Sequence, residues 1–172
     1  LVLPDSKGGE CSPGWLPTTQ ARVYAVDTVV KRSGSSSQRI EADGGENSVW
    51  NITNYVSCLP GREYSAEVWV RTKGLETAGG KGAVMRMEMT DSVARELATA
   101  TVSLDREGDN DWTPLQIVFR TPPAARRMRI YLTCEARRGS VWFDDLFLGE
   151  STWPLPSVYT ASQADRTGAG SV

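Results

Sequence analysis

The strongest constraint on this chain is its period. From about residue 20 to 148 it consists of short runs of alternating or β-branched residues, cut by Gly, Pro, Asp and Asn, with nothing between them that sustains a helical repeat. A spacing of two turns successive side chains to opposite faces of a strand, so each run is built to bury one face and wet the other. The runs lie near 22–30, 36–42, 48–57, 63–73, 83–90, 98–104, 113–120, 127–135 and 140–148, with a short candidate at 1–3. Nine or ten strands suit two packed sheets, and the expectation is an all-β chain, a jelly-roll β-sandwich of two antiparallel sheets.

Punctuation between the runs supports that reading. Asp43-Gly44-Gly45, Leu59-Pro60-Gly61, Gly79-Gly80-Lys81-Gly82 and Thr121-Pro122-Pro123 combine glycine, which tolerates positive φ, with proline, which removes a ladder donor. Ser92 to Ala98 has helix-forming composition, but Thr99 to Leu104 returns at once to β character, so the segment reads as a loop or short turn. A chain of 172 residues is long enough for one real core. After Glu150 the composition shifts to Ser, Thr, Pro, Gly and Ala, which divides the chain into a sandwich at 1–150 and a tail or linker at 151–172, pinned at its start by Trp153.

Composition removes several functions. Nineteen basic against 21 acidic side chains give a net charge of -2 without a long run of either sign, which argues against nucleic-acid and membrane partners. No stretch is apolar enough to span a bilayer, and a chain that opens at Leu1 reads as mature protein or an excised fragment. Cys11, Cys58 and Cys134 are too scattered for a disulfide framework or a zinc pair. Cys134 alternates with Ile130 and Leu132 and reads as a buried thiol, which leaves Cys11 with Cys58 as the one bridge to consider. Histidine is absent, so an enzyme built on this chain would have to run on carboxylates.

Alternation also sorts the chemistry. Met128, Ile130, Leu132 and Cys134 share one parity and form a core face; Arg129, Tyr131, Thr133 and Glu135 share the other. Tyr64, Ala66, Val68 and Val70 oppose Ser65, Glu67, Trp69 and Arg71 in the same way, and a methionine row opposes Arg86, Glu88 and Thr90. Polar faces with embedded aromatics suit a sugar, whose C–H side stacks on a ring while its hydroxyls seek donors and acceptors. The plainer alternative is ordinary surface pairing, with Trp69 as core at a sheet edge. Trp50 follows the Gly-rich loop from Asp43 to Asn47, yet its parity with Ile52 and Val56 also suits a core position. Asp144 and Asp145 offer oxygen ligands to a hard cation such as calcium, but alternation puts one on each face. That is also unsuited to a glycosidase pair, whose carboxylates flank a bond about 5 to 10 Å apart. Asn51-Ile52-Thr53 is a glycosylation sequon of little weight by itself.

Taken in order, the motifs are Gly14-Trp15, the segment from Arg32 to Ile40, and Pro60-Gly61-Arg62-Glu63-Tyr64 running into Val68-Trp69-Val70-Arg71. They continue with Asp111-Trp112-Thr113, Ile130-Tyr131-Leu132, and the ending from Gly139 to Leu146 with its Asp-Asp pair. Together these resemble the carbohydrate-binding module superfamily of families 4, 9, 16 and 22 over about residues 12 to 149. The resemblance implies a galactose-binding-like jelly roll with a structural calcium site, in which Asp145 is the ligand of the aspartate pair. The superfamily's Asn-Gly-Phe-Glu start is replaced here by Leu3-Pro4-Asp5-Ser6-Lys7-Gly8. It further implies that Trp50, Tyr131 and Glu135 line a sugar cleft; Trp69, Arg71, Arg86 and Glu88, read from the polar strand faces, are further candidates. Trp15, Trp112 and Trp142 stand at packing positions.

The function expected is a secreted, bacterial, non-catalytic module that binds polysaccharide or oligosaccharide and holds a covalently linked catalytic domain near it. The rival is a structural or interaction domain that packs on such a neighbour without binding sugar. A polysaccharide lyase or hydrolase would need a clustered acid and base that this chain does not offer.

Overall fold

In a computed structural model, residues 3–4, 10–11, 15–17, 23–43, 48–52 and 55–151 are described, the side chains from 25–42 and 55–151. Thirteen strands follow in order: β1 (Leu3–Pro4), β2 (Glu10–Cys11), β3 (Trp15–Pro17), β4 (Val23–Asp27), β5 (Ser37–Asp43), β6 (Ser48–Ile52) and β7 (Val56–Ser57). The longer ones come next: β8 (Glu63–Glu76), β9 (Ala83–Thr90), β10 (Glu96–Leu104), β11 (Gly108–Arg120), β12 (Arg127–Cys134) and β13 (Arg138–Glu150). No helix occurs among the described residues.

The strands form the expected pair of antiparallel sheets. One has five strands in the order β11-β8-β13-β5-β4; the other has six in the order β10-β9-β12-β6-β3, with β7 beside β6 on the same edge of β12. A separate ladder joins β1 to β2. The run read as a single strand over 48–57 is thus two, with β6 paired to Tyr131–Cys134 and β7 to Arg127–Met128. From β7 onward, every connection except the β9–β10 hairpin crosses from one sheet to the other, so the core is closed by contacts between segments distant in sequence.

Alternation decides what meets in that core. The inward parity of β8 supplies Tyr64, Ala66, Val68 and Val70; that of β12 supplies Met128, Ile130, Leu132 and Cys134, all buried. Met85, Met87 and Met89 complete the layer from β9, where an unbranched thioether side chain adapts to the irregular space between two twisted sheets. Val141 and Phe143 close it from β13, and Leu115, Ile117 and Phe119 from β11. The ladders are not uniform. Gly139, with φ of 104°, lies where an added Cβ would come within 2.5 Å of the Gly74 carbonyl oxygen, so only glycine lets β13 pass β8 this closely.

The segment from Ser92 to Arg95 is a turn, and β10 begins at Glu96, two residues before the expected return to β character at Ala98. The Asp91 carboxylate accepts the backbone N–H groups of Val93 and Arg95, each at 3.0 Å, and Ala94 takes a φ of 65°. Of the cysteines, Cys134 is a buried thiol at 1% exposure, as its parity implies. The bridge considered between Cys11 and Cys58 is not formed. Cys58 is a free thiol packed into the main core, whereas Cys11 belongs to the separate β1–β2 ladder. Trp153 and the rest of 152–172 lie outside the described residues, and Ser151 N–H still donates to the Glu63 carbonyl at 2.9 Å.

Two outcomes test this packing. Ile130→Ala, at the 1%-exposed centre of β12, should lower the unfolding free energy by about 2–5 kcal/mol, read from urea denaturation. Burial pushes the Cys134 thiol up to about 11 and the Cys58 thiol upward against the opposing pull of Arg126. A thiol reagent at pH 8 should therefore leave both unmodified in the folded protein and react with them fully in denaturant.

Candidate functional site

The outward parity of the six-stranded sheet gathers one continuous cluster. In the β12–β9 ladder Arg129 stands opposite Glu88 and Tyr131 opposite Arg86, so their side chains leave the same face as directly facing pairs. Thr99 and Thr101 extend these two rows onto β10. Tyr131 Oη donates to Glu88 Oε2 at 2.9 Å, and Arg129 Nη1 donates to the same phenol oxygen at 3.4 Å. The Arg86 guanidinium lies 4.6 Å from the Tyr131 ring centre and 3.7 Å from Glu88 Oε2. Beside them, Arg129 stacks on Tyr55 at 4.0 Å, and Arg127 approaches the same ring at 5.7 Å.

The electrostatics follow from that packing. Burial pushes the Tyr131 phenol up; Glu88 adds to the rise and Arg129 opposes it. Burial works against the Arg129 charge, but Tyr131, Tyr55 and Glu88 outweigh it and hold the guanidinium's pKa up. Tyr131 therefore stays a neutral O–H donor and Arg129 a cation throughout the physiological range. Glu135 sits just past β12, accepting from the Thr133 hydroxyl at 3.4 Å, with its backbone N–H tied to the Gly82 carbonyl at 2.8 Å. Val84 and Thr133, opposite each other in register, are buried, so the face closes at that end and opens toward exposed Arg127.

Of the residues named from the sequence, Tyr131, Arg86 and Glu88 lie on one face of the six-stranded sheet, with Glu135 just past the end of β12. Trp69 and Arg71 are elsewhere, because β8 belongs to the five-stranded sheet and its outward parity faces the opposite side of the sandwich. Trp50 is paired with Leu132, one step out of phase with Tyr131, whose register partner is Asn51. The Trp50 side chain lies outside the described ones, as does that of Trp15. Tyr55, Arg127 and Arg129 carry much of the cluster without having been singled out. Arg129 could have been found from its shared parity with Tyr131; Tyr55 could not, since it precedes β7 and reaches the face only through the fold.

On the five-stranded side, Trp69 Nε1 donates to Glu67 at 2.9 Å, and the Gln116 amide donates to the other Glu67 oxygen. The Arg32 guanidinium lies 3.7 Å from the Trp69 ring centre and so covers one face of the indole. Trp142 is buried, as a packing position requires, and donates to Asp27 at 2.8 Å. A cleft of about 580 Å³ opens beside it, lined by Arg71, Lys73, Asp109 and Asp111 among others.

Asp144 and Asp145 depart from the alternation read in the sequence. The β13–β8 register shifts between Asp144 and Phe147, and Asp145 takes a φ of 50°, so both carboxylates turn to the same loop. Asp144 Oδ2 accepts the backbone N–H groups of Arg32 at 2.7 Å and Ser33 at 3.3 Å, while Asp145 accepts from the Ser33 hydroxyl and pairs with Arg32. The Arg32 guanidinium thus pairs with the carboxylate that the resemblance makes a calcium ligand. No group of three or more Asp, Glu, His or Cys that could hold a metal gathers among the described residues. The side chains of the chain start, where further ligands would be sought, lie outside the described ones. Among the described residues alone, the donor set does not make up a cation site.

No protein-family model matches the chain, and a search of the curated proteins finds no match. Solved structures do match. A structure described as "Family 16 Carbohydrate Binding Module-2" superposes with a TM-score of 0.59 at 17% identity, covering 74% of this chain and 85% of its own. The β-sandwich fold is shared with carbohydrate-binding modules. The CBM22-1–GH10 structure of Clostridium thermocellum endo-1,4-beta-D-xylanase 10B, complexed with xylohexaose, matches at 0.58 and 15% identity over 80% of this chain and 26% of that one. The enzymatically active domain of bacteriophage CBA120 tailspike protein 4 matches at 0.65 and 15% identity, covering 81% of this chain and 20% of that one. Among such modules, families 4, 16, 22 and 61 all occur as matches, and the resemblance read from the motifs holds at the level of the fold.

The closing-strand aspartates generate a pH prediction. The Ser33 hydrogen bond and the Arg32 guanidinium hold Asp145 below its ordinary value of 3.8. At Asp27 burial pulls upward, but the bonds from Trp142, Val30 and Val29 and the charge of Arg39 outweigh it and lower the pKa. A depressed folded pKa contributes stability that is present above the unfolded value and lost as pH falls through the folded one. Thermal unfolding from pH 7 down to 2 should therefore show Asp145→Asn less stable than the parent near neutrality, with the difference closing below pH 3.8.

Proposed function

We propose that this chain is a non-catalytic carbohydrate-binding module whose site is the Tyr131 face of the six-stranded sheet, and that it holds a linked catalytic domain to polysaccharide outside a bacterial cell. The observation that carries the proposal is the ordered cluster of Tyr131, Glu88, Arg86 and Arg129 on an outward sheet face of a fold shared with such modules. It presents charged donors, an acceptor and flanking threonine hydroxyls over a strip wide enough for several sugar hydroxyls. A relative solved with xylohexaose carries its module beside GH10 modules, which supports the tethered arrangement. The affinity of one module is modest, and tethering raises the effective concentration of the attached enzyme.

The non-catalytic reading has its own support. The chain contains no histidine, and Glu88, the carboxylate at the centre of the cluster, is engaged by Tyr131 and Arg86. The mutual pairing of those same groups favours the rival structural or spacer domain that binds no sugar, because a face that satisfies itself has less to offer a ligand.

Affinity electrophoresis of the chain through gels containing neutral and acidic polysaccharides distinguishes the two. Retardation by at least one glycan, weakened about tenfold or about 1.4 kcal/mol by Tyr131→Ala, is the expected outcome. Unretarded migration through every gel would leave the spacer role. Parallel runs with calcium and with a chelator test the ion that the resemblance implies, which should shift neither migration nor melting if Arg32 fills that role.

A further inference from the structure

The aromatic rings of this site are already covered. Arg86 lies over Tyr131 at 4.6 Å, and Arg129 over Tyr55 at 4.0 Å with Arg127 nearby, so guanidinium groups cover the tyrosine rings and present their planes and forks to an arriving ligand. Stacking on an aromatic ring fixes a guanidinium's orientation and leaves its N–H fork free for a planar, bidentate acceptor.

Charge points the same way. Three guanidinium groups occupy this patch, and among the described residues Glu88 is the one carboxylate in contact with any of them. Its Oε2 serves both Tyr131 and Arg86, the latter only at 3.7 Å. Among the described residues Arg129 Nε is buried with no acceptor, and an unpaired buried donor is costly. Arg127 is exposed and makes no ion pair among the described residues, and Arg86 keeps 44% of its side chain open to solvent. Glu135 turns to Thr133. The face is rich in cationic donors and short of acceptors, although the chain as a whole carries a net charge of -2.

We infer that the Tyr131 face selects acidic polysaccharide, with Arg86, Arg127 and Arg129 taking the carboxylates of uronic acid residues. The inference rests on the carbohydrate-binding reading and narrows it to one sugar class. A carboxylate matches the guanidinium fork bidentately, supplies the acceptor that the cluster lacks, and leaves the ring hydroxyls to Thr99, Thr101 and Tyr131. Arg127 and Arg129 are two residues apart on one face, about 6.6 Å along β12, so the forks form a row along the strand and not a single point.

The test compares polygalacturonate with the same polymer fully methyl-esterified, which keeps the backbone and removes the charge, beside neutral xylan and dextran sulfate, all at 150 mM salt. Titration calorimetry of the full chain should show at least tenfold tighter binding to the free acid than to its ester. Arg127→Gln, at an exposed position, should weaken acid binding threefold or more. Arg129→Lys keeps the charge but loses the fork, and should weaken acid binding similarly; Arg106→Gln, remote from the face, should not. Equal affinity for acid and ester, or binding to neutral glycan alone, would overturn the uronate assignment while leaving the module reading intact. Dextran sulfate binding as tightly as polygalacturonate would overturn it as mere polyanion attraction. Silence toward every glycan would remove both readings.

Discussion

β12 is paired on both sides, with β9 along one edge and β6 and β7 along the other, and its register fixes both the core and the candidate site. Leu132 opposite Met85 and Ile130 opposite Met87 seal the interior; Tyr131 opposite Arg86 and Arg129 opposite Glu88 build the cluster on the far side of the same strands. A slip of one residue would exchange these two sets, bringing arginines against methionines and exposing the apolar row. The hydrophobic penalty for that exchange therefore positions the charged cluster too.

The cluster's order comes from mutual support between groups that would be costly alone. A half-buried arginine needs acceptors, and Tyr131 supplies an oxygen while Tyr55 supplies a ring face. The Tyr131 hydroxyl in turn donates to Glu88. Low local dielectric strengthens each of these contacts and penalises any that is missing. The site is thus stiff in its centre, at Tyr131 and Glu88, and open at Arg127 and Arg86. The opposite sheet shows a different economy: Arg32 is held by Asp145 and Trp69, and the aspartates brace the loop that carries it, so charge there stabilises the fold.

Most of the sandwich was legible because burial on one side of a strand leaves a period of two. The inward rows of β8, β9 and β12 and the outward set of Arg86, Glu88, Tyr131 and Glu135 could be assigned from parity alone. Parity fails where the ladder is irregular. Asp145, at positive φ beside a register shift, joins Asp144 on one loop although alternation separates them. The single run over 48–57 also breaks into two strands, because β12 accepts them as separate partners.

The sequence by itself determined the fold class, the core rows and the absence of histidine chemistry, because these depend on composition and local period. Tertiary structure decided which outward rows share a sheet. Trp69 and Tyr131 carry the same kind of signal, yet the crossings between strands place them on opposite sides of the sandwich. It also decided what covers each ring: Arg86 precedes Tyr131 by 45 positions and Arg129 follows Tyr55 by 74, and those pairs meet only after long-range ladders have closed. Local period fixes which face a side chain leaves from; only the pairing of distant strands fixes its neighbours.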